Sequence, residues 1–325
     1  MRVSTVLSVL AALVIVGVAG ATTLDRVRVL PAPVTALDMT NQAVATATAW
    51  SPGHCEAVDL WSPDVRARYG FQAPGPCPAT STGRGIASVA VTYNRVLWLA
   101  YAGGNDRDWT LWMATRTAKA PKKLRFASAP VDAAPPIVLG NAGELEFAYA
   151  VGPDVVILSD TGARLGSWHA PARVVALSAD GVGGVAMLLE TGNLVVLAPK
   201  NGRASVVTDY DYAPGEVRTF VTVPGGVAVS TANDVELRTP AKTTPLGIDS
   251  GARVLGFSDG NLVYARGAEI RDYKRPSGDD VLLRHVKPPF LAEFDRRGLA
   301  WVTGRHVCFS VRMFVEHPDV HAPGC

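Results

Sequence analysis

The fold predicted for this chain is an all-β ring, a seven-bladed β-propeller of four-stranded antiparallel blades closed by an N-terminal strand. Three observations predict it. A motif of two apolar strands around a tight turn recurs at a spacing of roughly 40 residues. Asn, Asp and Gly fill its turns, where they tolerate positive φ at little cost. No segment past Ala21 sustains a helical period.

The N-terminus comes first. Arg2, the apolar run Val6 to Val18 and the small-x-small sequence Ala19-Gly20-Ala21 have the layout of a secretory signal peptide, so residues 1–21 are expected to be removed. The run is shorter than the roughly 20 residues that span a bilayer, which favours cleavage over an uncleaved anchor. No later stretch reaches membrane-spanning length, and residues 22–325 are read as one secreted or cell-envelope propeller domain.

Hairpin turns are expected at Thr40-Asn41, Tyr93-Asn94, Asn141-Ala142-Gly143, Asp180-Gly181, Pro224-Gly225-Gly226, Asp259-Gly260 and Arg296-Arg297-Gly298. A third strand follows each hairpin, beginning near Glu56, Trp109, Asp154, Asn193, Asp234, Ala268 and Arg305. Most continue through another Gly or Pro turn into a fourth strand, as in Val155 to Trp168 and Leu194 to Arg203. The blades so defined cover 34–72, 86–127, 132–170, 172–212, 216–248, 252–286 and 290–315, with a tail at 316–325. The seventh blade lacks a fourth strand, whereas Asp25 to Leu30 alternates polar and apolar residues with no other unit to join. Placing that segment in blade seven closes the ring and removes an open edge.

Asp160-Thr161-Gly162-Ala163-Arg164-Leu165 and Asn201-Gly202-Arg203 are similar to turns between the third and fourth strands of known repeats. Over about residues 25 to 315 the chain resembles a secreted bacterial β-propeller of the loosely WD40-like or quinoprotein-like kind. The resemblance implies a fold and no functional residue, because the Gly-His and Trp-Asp signatures and the calcium and quinone ligands are absent. No cofactor or metal is expected.

Charge narrows the partner. The chain is 48% hydrophobic and 18% charged with a net charge of +2, and it contains no run of five or six like charges. Its densest basic cluster is Lys119 to Arg125, so nucleic acid is not an expected partner. An even number of cysteines in an exported chain predicts disulfides, and propeller topology suggests Cys55 with Cys77 and Cys308 with Cys325. Zinc is the competing reading, but its ligands usually come as closely spaced cysteine pairs.

Catalytic signatures are missing. The histidines, His54, His169, His285, His306, His317 and His321, fall in no metal or nucleophile motif and read as surface residues. Asp106, Asp108, Asp209, Asp211, Glu190 and Glu216 lie near predicted loops, where solvated loop charge is the simpler reading than an acid–base pair. Trp61, Trp98, Trp112, Trp168 and Trp301 are expected in the core, with Trp109 partly exposed after the loop Gly103 to Asp108. Tyr210-Asp211-Tyr212 is a second place where aromatics stand beside carboxylates.

The leading functional expectation is therefore a monomeric, non-catalytic binding or scaffolding propeller for a protein or glycan ligand. The alternative is an extracytoplasmic enzyme acting on carbohydrate in the central funnel. The widest repeat intervals contain Phe71 to Gly85 and Gly103 to Asp108, and long loops usually bind. The expected contacts are Arg84, Asn105, Asp106, Arg107, Asp108 and Trp109.

Overall fold

The computed structural model describes residues 26–311 except 41–42, 62–65, 71–82, 116–119, 144, 180–183, 259, 276 and 296–297. The expected signal segment, Cys77, Cys325, the tail and most of the expected Phe71 loop lie outside the described residues. So do Asn41, Asp180-Gly181, Asp259 and Arg296-Arg297 of the expected turns, together with His317 and His321.

All seven blades are four-stranded and antiparallel. Blade 1 is β2 (Val34–Thr40), β3 (Ala43–Thr48), β4 (Ala57–Trp61) and β5 (Arg66–Gly70), and blade 2 is β6 (Arg84–Val91), β7 (Arg95–Ala102), β8 (Asp106–Thr115) and β9 (Lys122–Pro130). Blade 3 is β10 (Ile137–Leu139), β11 (Glu146–Val151), β12 (Asp154–Ser159) and β13 (Arg164–His169). Blade 4 is β14 (Val174–Ser178), β15 (Val185–Leu189), β16 (Leu194–Lys200) and β17 (Arg203–Tyr210). Blade 5 is β18 (Thr219–Val223), β19 (Gly226–Ser230), β20 (Asp234–Arg238) and β21 (Thr243–Asp249), and blade 6 is β22 (Arg253–Ser258), β23 (Asn261–Arg266), β24 (Glu269–Lys274) and β25 (Asp279–His285). Blade 7 is β26 (Leu291–Asp295), β27 (Gly298–Thr303) and β28 (His306–Val311), completed by β1 (Arg26–Val29).

First strands of neighbouring blades touch one another, so they line the central channel and the fourth strands form the outer wall. Burial follows that order. The second strands β3 and β19 are buried at every position, whereas outer strands such as β9 and β17 are largely exposed. Apolar runs such as Leu97 to Ala100 and Val227 to Val229 suit strands covered on both faces by adjacent blades. Because each blade runs outward in chain order, all first strands begin on one face of the ring, here the upper face. That face also carries the second-to-third-strand turns, and the other two turns of each blade lie below.

The ring closes as the unmatched segment predicts. Val27 pairs with Cys308 and Val29 with His306, so β1 is the outer strand of blade 7. Arg28 reaches into blade 1 and forms an ion pair with the buried Asp59 at 3.2 Å. Trp61 of blade 1 meets Phe309 of blade 7 edge-on, with ring centroids 6.3 Å apart. The Nε–H of Arg305 donates to the carbonyl of Leu30 at 2.7 Å.

One expectation is corrected in blade 2. Its third strand begins at Asp106, not near Trp109, because residues 106–108 pair with β9, while Asp108 also pairs with Ala102 of β7. The connection is therefore only Gly103-Gly104-Asn105, and long strands account for the wide interval. Gly103 N–H donates to the Gly83 carbonyl at 2.8 Å, and a Cβ on Gly83 would overlap the Gly103 carbonyl oxygen. Both positions have positive φ, so glycine is needed on each side of this approach.

Candidate functional site: the upper mouth of the channel

Four blades place an arginine at the start of their inner strand: Arg84, Arg173, Arg218 and Arg253. All four therefore stand at the upper mouth. Arg84 is committed to structure, since its guanidinium grips the buried Glu56 carboxylate through Nε and Nη2, each at 3.0 Å. Arg173 faces Glu190 at 3.5 Å with both groups well exposed, a pair of little energetic weight. Arg253 lies 5.7 Å over the Phe290 ring, and Arg218 is exposed with no ion pair among the described residues.

Below the last two arginines is a cavity of about 240 Å³, lined also by Asn141, Leu177, Leu255 and Glu293. Asn141 Nδ2 donates to Glu293 Oε2 at 3.2 Å. Asn141 belongs to blade 3 and Glu293 to blade 7, which are not neighbours, so this hydrogen bond crosses the channel. Asn141 follows β10 at its lower end and is anchored there, its carbonyl accepting from Ala179 N–H at 3.0 Å. The cavity is thus narrowed below and cationic above. A second cavity of about 230 Å³ runs along blades 2 to 4 and is mainly apolar, with Pro135, Val138 and Val175 in its wall.

Among the described residues Glu293 is the single carboxylate lining these cavities. Acid–base chemistry of the two-carboxylate type has no pair here. Two guanidinium groups over a half-open, partly apolar cavity are suited to holding a carboxylate or another planar anion by forked hydrogen bonds.

The residues singled out in the sequence fall around this mouth without converging in it. Arg84 and Arg107 share the upper end of blade 2, where Arg107 lies 4.7 Å over the Tyr101 ring. Asp108 accepts from Ser128 Oγ at 2.6 Å, Asn105 accepts from Val131 N–H at 2.7 Å, and Asp106 is exposed. Trp109, expected to be partly exposed, is 4% exposed and tilts against Tyr101 at 5.0 Å, because strand alternation turns it into the core. Tyr210 and Tyr212 are likewise buried, and Tyr212 donates to Glu236 at 2.5 Å. Asp209 and Asp211 both accept from Asn193 Nδ2, and Glu216 accepts from Ala213 N–H, as loop carboxylates do. His54, His169, His285 and His306 are on the surface. Neither Cys55 nor Cys308 is a free thiol, and no group of metal-ligating side chains occurs among the described residues.

Arg173, Arg218 and Arg253 were missing from the sequence reading. Their signal was the repeat itself: each stands at the first residue of its blade's inner strand or directly before it.

No family model matches the chain, and no curated protein sequence matches it. Solved structures do. The chain is similar to Raptor of Chaetomium thermophilum at 14% identity and a TM-score of 0.53, covering 88% of this chain and 28% of that one. It therefore spans under a third of Raptor's length. It is similar to U3-55K at 11% identity and TM-score 0.56, covering 89% and 99%, and to a chain of the Mitotic Checkpoint Complex at 13% and 0.56, covering 88% and 94%. At these identities the likeness concerns the fold alone, a β-propeller, which here has seven blades.

Proposed function

We propose that this is a non-catalytic, extracytoplasmic binding propeller of the cell envelope or exterior that receives an acidic segment of a partner protein at its upper mouth. The observation that carries the reading is the pair Arg218 and Arg253 above a cavity lined by one carboxylate. One similar propeller was solved within an assembly, the Mitotic Checkpoint Complex, which fits a scaffolding role. Arg107, Asn105 and Asp106 extend the contact surface along blade 2, while Arg84 and Trp109 support it from within. Export follows from the signal-like residues 1–21, and the proposed disulfides Cys55 to Cys77 and Cys308 to Cys325 would brace blade 1 and the tail.

A fluorescent hexaglutamate peptide is the direct probe. Fluorescence anisotropy should detect binding that weakens at least tenfold in the Arg218→Glu/Arg253→Glu variant, with about 1.4 kcal/mol corresponding to each factor of ten. Absence of binding by the folded parent, or an unchanged double variant, would overturn the assignment. Non-reducing peptide mapping tests the cysteine pairs, and N-terminal sequencing of exported protein tests cleavage after Ala21.

A further inference from the structure

The outer wall of blades 2 to 4 carries a second and independent feature. Lys122, Lys123, Arg125, Arg164 and Arg203 begin or lie near the start of β9, β13 and β17, and all five are exposed. None has a carboxylate partner among the described residues.

Nearby acidic groups are engaged elsewhere. Asp154 is held by His169 at the upper end of blade 3, Asp160 accepts from Asn94 below, and Asp108 accepts from Ser128. The cations are instead set on aromatic rings and on one another's strands. Lys123 stands 5.8 Å from the Trp112 ring and 5.3 Å from Phe126, and Arg125 lies 5.3 Å over Tyr149 of the next blade. Arg164 also acts on Tyr149: with Arg125 it opposes the rise in the phenol's pKa that burial causes. A Cβ on Gly166 would meet the Arg203 carbonyl oxygen at 2.8 Å, so the strands that carry Arg164 and Arg203 are in close contact. The five charges thus form one belt across three blades.

We infer that this belt binds a linear anionic glycan, with sulfate or uronate groups on the cations and a sugar ring against Phe126. Three features select that partner. Lysines on an open edge strand oppose pairing with another strand. Membrane docking needs several large apolar anchors beside the basic residues, and among the described residues Phe126, 52% exposed, is joined along these outer strands only by the smaller Val206 and Val207, 47% and 48% exposed. A stiff chain with regularly spaced anions matches cations repeated from blade to blade, and guanidinium forks suit planar oxyanions. The choice of a glycan over nucleic acid rests on the extracytoplasmic reading.

The test measures binding of a heparin oligosaccharide, an oligoglucuronate, a single-stranded oligonucleotide of equal charge and vesicles containing anionic phospholipid. The expected result is binding to one or both glycans that weakens steeply between low and physiological salt and falls at least tenfold in Lys123→Glu/Arg125→Glu/Arg164→Glu, with an unchanged melting temperature. The two glycan arms separate sulfate from uronate recognition. Should that variant fail to fold, Lys123→Gln/Arg164→Gln replaces it, with an expected loss of at least threefold. Equal or tighter binding to the oligonucleotide or vesicles, no glycan binding by the parent, or full binding by the folded variant would each overturn the inference. Arg218→Glu/Arg253→Glu should retain the glycan, which keeps this outcome separate from that of the mouth.

Discussion

Arg238, Arg266 and Arg271 of blades 5 and 6 are used differently from the outer-strand cations of blades 2 to 4. Arg238 meets Glu236 at 2.8 Å, Arg266 meets Asp249 at 2.9 Å, and Arg271 lies between Glu269 and Asp280 at 2.9 and 3.1 Å. The same carboxylates accept from buried phenols, Tyr212 to Glu236 and Tyr264 to Asp280, and burial together with those anions raises both phenol pKa values. On the other side of the ring Lys123 and Arg125 lie against aromatic rings, and none of Lys123, Arg125, Arg164 and Arg203 pairs with a carboxylate among the described residues. A guanidinium neutralised from within is part of the scaffold. One left without a counter-charge is available to a partner, at little cost to stability while it stays hydrated.

The strongest expected effect comes from Asp59, which with Glu56 is the most buried of the paired carboxylates among the described residues. Asp59→Ala should cost about 3 kcal/mol in urea unfolding, since it strips Arg28 of its partner where blade 1 meets the closing strand. A loss below about 1 kcal/mol would mean that pairing at this junction is incidental. Blade 3 offers the inverse case, a carboxylate with no cation paired to it among the described residues. Burial raises the Glu146 pKa from 4.5 to about 7. The folded state then binds the proton more tightly than the unfolded one, so stability present below pH 4.5 is lost as pH rises to about 7, on the order of 3 kcal/mol at most. Glu146→Gln should flatten that dependence in equilibrium unfolding across this pH window.

Smaller effects should separate the two walls further. Arg271→Met removes the cation between two carboxylates, and about 1 kcal/mol of destabilisation by denaturant titration is expected, modest because the pairs are partly hydrated. Reversing Lys123, Arg125 or Arg164 singly should change stability by less than about 0.5 kcal/mol. If calorimetry found these reversals as damaging as Arg271→Met, the two walls would not differ in kind.

The ring was legible because its causes are local. Turn glycines such as Gly225 and Gly260 have positive φ, and the polar–apolar alternation of the sequence Arg26 to Val29 marks a strand, which pairs with β28. Blade 2 misled for a physical reason. Asn105, Asp106 and Asp108 favour turns in isolation, but ladders on both sides of β8 override that preference and bury Trp109. The mouth was illegible as a site because Arg173, Arg218 and Arg253 are dispersed along the chain and become neighbours only when the blades close. Likewise, the cluster at Lys122 to Arg125 is ordinary by composition. Its meaning depends on Arg164 and Arg203, which the fold brings beside it.

The pairing of β1 with β28 also has a consequence in time. Arg305 and Leu30, which bond at this seam, are 275 residues apart, so the strand synthesised first has no partner until nearly the whole ring has been made. Until then β1 is a short, charged ribbon, and the outer edge of blade 7 does not yet exist. Completion is therefore an all-or-none clasp, set late by two distant ends of the ring. A chain interrupted before β28 would carry six finished blades and a seventh reduced to its two inner strands.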